Sequence, residues 1–108
     1  MLAVPSITVE ELKQRLDLGE EVTLLDVRES HEWPISDLPD SVKIPLGQLQ
    51  QRYSELSRDA DLVVYCRVGG RSAQAVQFLR QIGYGRVANL TGGINRWAEA
   101  IDPQMRKY

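Results

Sequence analysis

The stretch DLVVYCRVGGRSAQAVQFLRQIG, Asp61 to Gly83, changes its hydrophobic period halfway along. Asp61 to Cys66 is apolar on both faces, as in a parallel strand covered by helices on each side. After Arg71 the apolar residues Ala73, Val76, Leu79 and Ile82 recur at helical spacing. Ser72 is the expected helix cap, and Gly83 the expected end. A buried strand, a glycine loop and an amphipathic helix in that order make an α/β unit.

The same alternation extends outward in both directions. Upstream, SITVEELKQRLDLGE opens with a capping box, Thr8 with Glu11, and an Ile7–Leu12 staple. Its helix is expected over about Val9 to Asp17, ending at Gly19. VTLLDV (Val22 to Val27) is a second buried strand. The polar RESHEWPISDLPD holds a helical turn near Ser30 to Trp33, and SVKI is a short strand ended by Pro45. LGQLQQRYSEL reads as a helix with Leu46, Leu49, Tyr53 and Leu56 on one face. Downstream, RVANL is another strand, and TGGINRWAEAI a glycine turn entering a last helix. The expected class is α/β, three layers, with a mostly parallel sheet flanked by helices on both faces.

Composition narrows the function. The 108 residues, 43% hydrophobic, suit a single domain over 1–108, burying roughly 65% of its unfolded surface. Thirteen basic and fifteen acidic residues give a net charge of -2, with no basic cluster of the kind nucleic acid requires. No apolar run approaches the roughly 20 residues that span a bilayer, and no signal segment opens the chain, so a cytoplasmic location is expected. One Cys and one His exclude an intrachain disulfide and a zinc site, and no cofactor is implied.

That single cysteine, Cys66, therefore needs a second molecule for any sulfur chemistry. It stands at the carboxyl end of a strand, where ligands collect in parallel sheets. Gly69 and Gly70 permit left-handed dihedrals that turn successive amides inward as an anion nest, with the thiol on the rim. The next helix adds roughly half a positive charge at its N-terminus. An ordinary thiol of pKa about 8.5 is about 3% ionised at pH 7, whereas such settings bring values of roughly 3.5 to 7.5. Arg67 and Arg71 are candidates to orient an anionic donor and stabilise the departing charge. A lone cysteine at a strand end is more often a small core hydrophobe, but a core residue gains nothing from flanking arginines and paired glycines. The reading requires a thiol that ionises readily and that solvent reaches.

CRVGGRS resembles the active-site loop of the rhodanese family of sulfurtransferases, LLDVRESHEW its DVRE-x-x-E-aromatic segment, and LTGGINRWAEA its L-x-GG-hydrophobic-x-x-W ending. The resemblance implies a rhodanese-like three-layer fold with a five-stranded sheet. It makes Cys66 the persulfide-forming nucleophile, and Arg67, Val68, Gly69, Gly70, Arg71 and Ser72 the cradle that binds the transferred sulfur. Asp26 and Arg28 support the loop, as a brace or as a plain structural salt bridge. Four residues separate Cys66 from Arg71, one fewer than in cysteine phosphatases, which favours a bowl for one sulfur atom over phosphatase chemistry. Implied partners are thiosulfate or a persulfidated protein as donor and a thiophilic acceptor; a module that only recognises a partner protein is the alternative.

Where the family has G-H-I-P-G-A, this chain has SDLPDS (Ser36 to Ser41). His31 is expected in solvent. Trp33, Tyr65 and Trp97 are candidates for the pocket mouth, although Trp97 at helical spacing from Ile94 and Ile101 reads as core. IPLGQL, SDLPDS and the tail IDPQMRKY look like the rhodanese domains that end adenylyltransferases activating ubiquitin-like sulfur carriers. A sulfur-carrier protein is then a further implied partner, and the chain either a stand-alone relative or an excised domain.

Overall fold

The computed structural model describes residues 4–108. Five strands form one sheet in the order β1-β5-β4-β2-β3: β1 Ser6–Ile7, β2 Thr23–Asp26, β3 Val42–Lys43, β4 Leu62–Tyr65 and β5 Val87–Leu90. Every pairing is parallel, so the sheet is wholly rather than mostly parallel among the described residues. The two-residue β1 is too short to leave a period in the sequence, where Ile7 reads only as a helix staple.

Strand pleating splits the core in two. Leu62, Val64 and Cys66 face α3 (Gly70–Gln81) and α2 (Leu49–Arg52) with Leu25, Val27, Ala75, Val76 and Leu79. Val63 and Tyr65 face α1 (Val9–Asp17) and α4 (Gly93–Ala100) with Leu12, Leu24, Ile94 and Trp97. This alternation is the period of two expected of a strand buried on both sides. The Thr8–Glu11 capping box forms as read, and α1 ends with Gly19 at φ 77.

The expected helix over Leu46 to Leu56 is broken instead. Turns of 3-10 helix at Leu46–Gln48 and Tyr53–Glu55 flank the single turn of α2. The Tyr84 hydroxyl lies 2.9 and 2.8 Å from the Tyr53 and Leu56 carbonyls, satisfying the end that a continuing helix would have satisfied.

Candidate active site

The carboxyl ends of β2 and β4 place Asp26 beside Tyr65 in register, so the segments after both strands converge. From β4 the chain passes into Cys66 and turns at Gly69, whose φ of 114 favours glycine. Gly69 is the N-cap of α3, which begins at Gly70. Two expectations change here. Gly70 is helical, so only Gly69 supplies a left-handed turn, and Ser72 is not the cap. The turn at Gly69 starts the helix early, leaving Ser72 inside the first turn with its hydroxyl aimed at the thiol.

The loop curls over the sulfur. Cys66 Sγ accepts hydrogen bonds from the Gly69 amide (3.1 Å) and the Ser72 amide (3.4 Å), with the Ser72 hydroxyl 3.3 Å away. Burial alone pushes the thiol pKa up, but the Ser72 hydroxyl, when it turns its one proton from Asn89 to the sulfur, and the amides of Ser72, Gly69 and Val68 outweigh it and bring it below its ordinary value. Cys66 is 1% exposed, so the thiol occupies the floor of the cradle and not its rim, and the solvent access that the sequence reading requires is not met in this conformation. The amides that stabilise the anion can surround it only by covering it.

A second layer fixes the loop. Asn89 of β5 donates to the Gly69 carbonyl (3.2 Å) and accepts from the Ser72 hydroxyl (2.5 Å). The first free amides of α4 take the loop's other carbonyls, Ile94 donating to Cys66 (2.9 Å) and Asn95 to Arg67 (3.1 Å). Gly93 (φ 63) allows this approach, since a Cβ there would lie 2.6 Å from the Cys66 oxygen. The Arg67 carbonyl held by α4 belongs to the peptide whose N–H is that of Val68, one of the amides that lower the thiol pKa.

The two loop arginines differ. Arg71 is committed to Glu32 by a two-pronged ion pair of 2.6 and 2.8 Å. Arg67 is exposed and makes no ion pair among the described residues, its guanidinium lying 5.0 Å from the Tyr108 ring centre. Val68 is 62% exposed at the loop tip. Glu32 also accepts from the Tyr108 hydroxyl (2.7 Å) and the Glu29 amide (2.8 Å). Arg71 foremost, then Tyr108 and Glu29, hold its carboxyl down at about 2 against the upward push of burial.

Asp26 and Arg28 form a fully buried pair, with Arg28 Nε and Nη2 on the two carboxylate oxygens at 3.0 and 2.9 Å. The remaining guanidinium donors reach the Ser36 carbonyl (2.8 Å), the Glu32 carbonyl (3.4 Å) and the Tyr108 hydroxyl (3.0 Å). This pair ties the segment carrying Glu32 to the end of β2 and makes no hydrogen bond or ion pair to a loop residue among the described residues. Burial lowers the Arg28 pKa, but bonds to Asp26 and Tyr108 prevail and raise it.

Tyr65 is buried with its hydroxyl on Ser41 (3.0 Å), and Trp97 is buried in the core, so neither lines a mouth. Trp33 is half-buried, and its indole nitrogen has no hydrogen-bond partner among the described residues. His31 is exposed. In the SDLPDS stretch, Asp40 takes a φ of 63 where the resemblance has glycine, and Asp37 accepts from Lys43 (2.9 Å). Glu32, Asn89 and Tyr108 carry roles that sequence reading did not assign. Glu32 lies in the LLDVRESHEW segment and Tyr108 in the tail IDPQMRKY, but neither stretch points to a role for them, and Asn89 carries no signal.

Fold and site together define an α/β domain with a thiol of lowered pKa in an amide nest at the carboxyl edge of a parallel sheet. Residues 8–100 match the rhodanese-like domain model, and the chain belongs to that family. It is 46% identical over 95 residues to a protein of Allochromatium vinosum named sulfurtransferase, covering 88% of this chain and 89% of that one. It is 35% identical over 118 residues to the adenylyltransferase and sulfurtransferase MOCS3 of Arabidopsis thaliana, spanning 94% of this chain but 25% of that protein. The crystal structure of a rhodanese-related protein from Thermoplasma volcanium superposes with a TM-score of 0.81 at 36% identity, covering 88% of this chain and 91% of that one. No helix among the described residues is long and apolar enough to cross a membrane.

Proposed function

We propose that this chain is a sulfurtransferase that carries sulfane sulfur as a Cys66 persulfide. The observation behind the reading is the set of loop N–H groups on Sγ, which lower the thiol pKa despite burial. The Cys66 thiolate attacks the outer sulfur of thiosulfate, a new S–S bond forms, and the old one breaks with its electron pair leaving on sulfite. Total charge is conserved, because the persulfide keeps the single negative charge of the thiolate. An acceptor nucleophile, cyanide in an assay, then attacks the outer sulfur and returns the thiolate. No general base is needed once the thiol is ionised.

The depth of Cys66 favours a donor that presents one terminal sulfur atom, such as thiosulfate or a protein persulfide. Arg67, exposed and without an ion-pair partner among the described residues, is the better candidate for contact with an anionic donor, whereas Arg71, neutralised by Glu32, shapes the loop. The resemblance of SDLPDS and the tail IDPQMRKY to domains that end adenylyltransferases makes a ubiquitin-like sulfur-carrier protein the proposed physiological acceptor.

Mass spectrometry tests the reading. After thiosulfate treatment the wild-type protein is expected to gain one sulfur, about 32 Da, on Cys66, lost again on adding cyanide. Cys66→Ser should gain none and form no thiocyanate. A persulfide-free wild-type protein would leave a partner-recognition module as the better account, and glutathionylation in its place would indicate a redox sensor.

A further inference from the structure

Tyr108 stands 76 residues from Glu32 and 80 from Arg28, yet its side chain closes one flank of the site. Its hydroxyl donates to Glu32 Oε1 at 2.7 Å and accepts from Arg28 Nη1 at 3.0 Å. Its ring faces the Arg67 guanidinium at 5.0 Å and that of Arg28 at 5.9 Å. The backbone is fixed as well. Asn95 of α4 donates to the Tyr108 main-chain oxygen (3.2 Å) and accepts from its amide (3.3 Å). The ring therefore cannot swing away from the loop without breaking contacts at both ends.

A carboxylate and an aromatic ring hold an arginine with different consequences. Glu32 cancels the charge of the Arg71 it orients. The face of Tyr108 restrains Arg67 through its quadrupole and leaves the full positive charge available to a further anion. A flexible arginine loses rotamer freedom when a ligand fixes it, so prior restraint lowers that cost at the moment of binding.

We propose that Tyr108 is a positioning residue that sets specificity for anionic sulfur donors, its ring holding Arg67 at the loop mouth while its hydroxyl keeps Glu32 on Arg71. This rests on the sulfur-transfer reading of Cys66. It adds a determinant that lies outside the loop and outside the three blocks on which Cys66, its cradle, Asp26 and Arg28 are assigned.

The test compares Tyr108→Leu and Tyr108→Phe, alone and in an Arg67→Ala background, with thiosulfate and with the monoanion methanethiosulfonate as donors. Tyr108→Leu should raise KM for thiosulfate about three- to tenfold, with kcat within about twofold of wild type. The rise should be smaller for the monoanion. Tyr108→Phe keeps the ring and the packing, and should show less than half of the effect. In the Arg67→Ala background, Tyr108→Leu should add less than about twofold, because its means of action is gone. Thiosulfate affinity measured by calorimetry on Cys66→Ser proteins, which do not turn over, should fall by the same factor as KM rises. Equal losses for both donors, or a full effect without Arg67, would overturn the role of Tyr108. Failure of the wild-type protein to form a persulfide would instead strike the sulfur-transfer reading, while the calorimetric comparison would still decide for or against Tyr108.

Discussion

Glu32 accepts from Arg71, Tyr108 and its neighbour Glu29, and its side chain is 8% exposed. Its carboxyl sits at about 2 in the folded chain against an ordinary value of 4.5. The unfolded state therefore binds more protons between these values, so stability rises with pH across that window. The contribution is full above about pH 5 and disappears as pH falls through about 2, with an upper size of about 3 kcal/mol. Replacing Glu32 by Gln should lower stability at pH 7, and the gap from wild type should close progressively between pH 4.5 and pH 2 in denaturant titrations. A gap constant over that range would mean that Glu32 acts only through shape. None of this was visible in the sequence, because Glu32 and Arg71 are 39 positions apart. Cys66 was visible because every element of its nest is local, from the strand before it to the glycine and the helix after it.

At the scale of elements, the site depends on α4 lodging its N-terminus against the loop. Gly93 is the hinge of that contact, and a Cβ there collides with the backbone of both Cys66 and Arg67. Gly93→Ala should cost on the order of 3 kcal/mol or more, since neither a left-handed φ nor a backbone collision relaxes cheaply. Gly70 offers a control within the same site. It is helical and a Cβ there meets nothing within 4 Å, so Gly70→Ala should leave the melting temperature unchanged or raise it slightly. Similar destabilisation by both substitutions would contradict the docking of α4. Sequence reading found the glycine turn and the helix, and left unread what the turn touches. It likewise puts the cap at Ser72, because cap statistics cannot foresee Gly69 capping the helix three residues sooner. The break within Leu46 to Leu56 was hidden for a related reason, as the Tyr84 hydroxyl that ends it arrives from a distant part of the chain.

Across the whole molecule, a sheet covered on both faces leaves only its edges and strand ends for chemistry, and Cys66 follows the end of β4 at the border of one core cluster. The chain carries a net charge of -2, whereas the loop carries the exposed Arg67, which makes no ion pair among the described residues. A dianionic donor is thus repelled weakly by the molecule at long range and attracted at the site, and the balance shifts with ionic strength. Two alkylating reagents of nearly equal size separate these effects. Iodoacetate carries a negative charge and iodoacetamide none. The rate ratio of iodoacetate to iodoacetamide at Cys66 should exceed that of an unstructured cysteine peptide by about threefold or more, and should fall when salt shortens the screening length from about 30 Å to about 3 Å. Arg67→Ala should abolish the excess. Both reagents should react at a lower pH than with the peptide, in keeping with the lowered thiol pKa. A ratio equal to that of the peptide would remove the case for an anion-selecting mouth. Resistance of the folded protein to both reagents would be more serious, because a thiol 1% exposed that small electrophiles cannot reach is one that no sulfur donor reaches either.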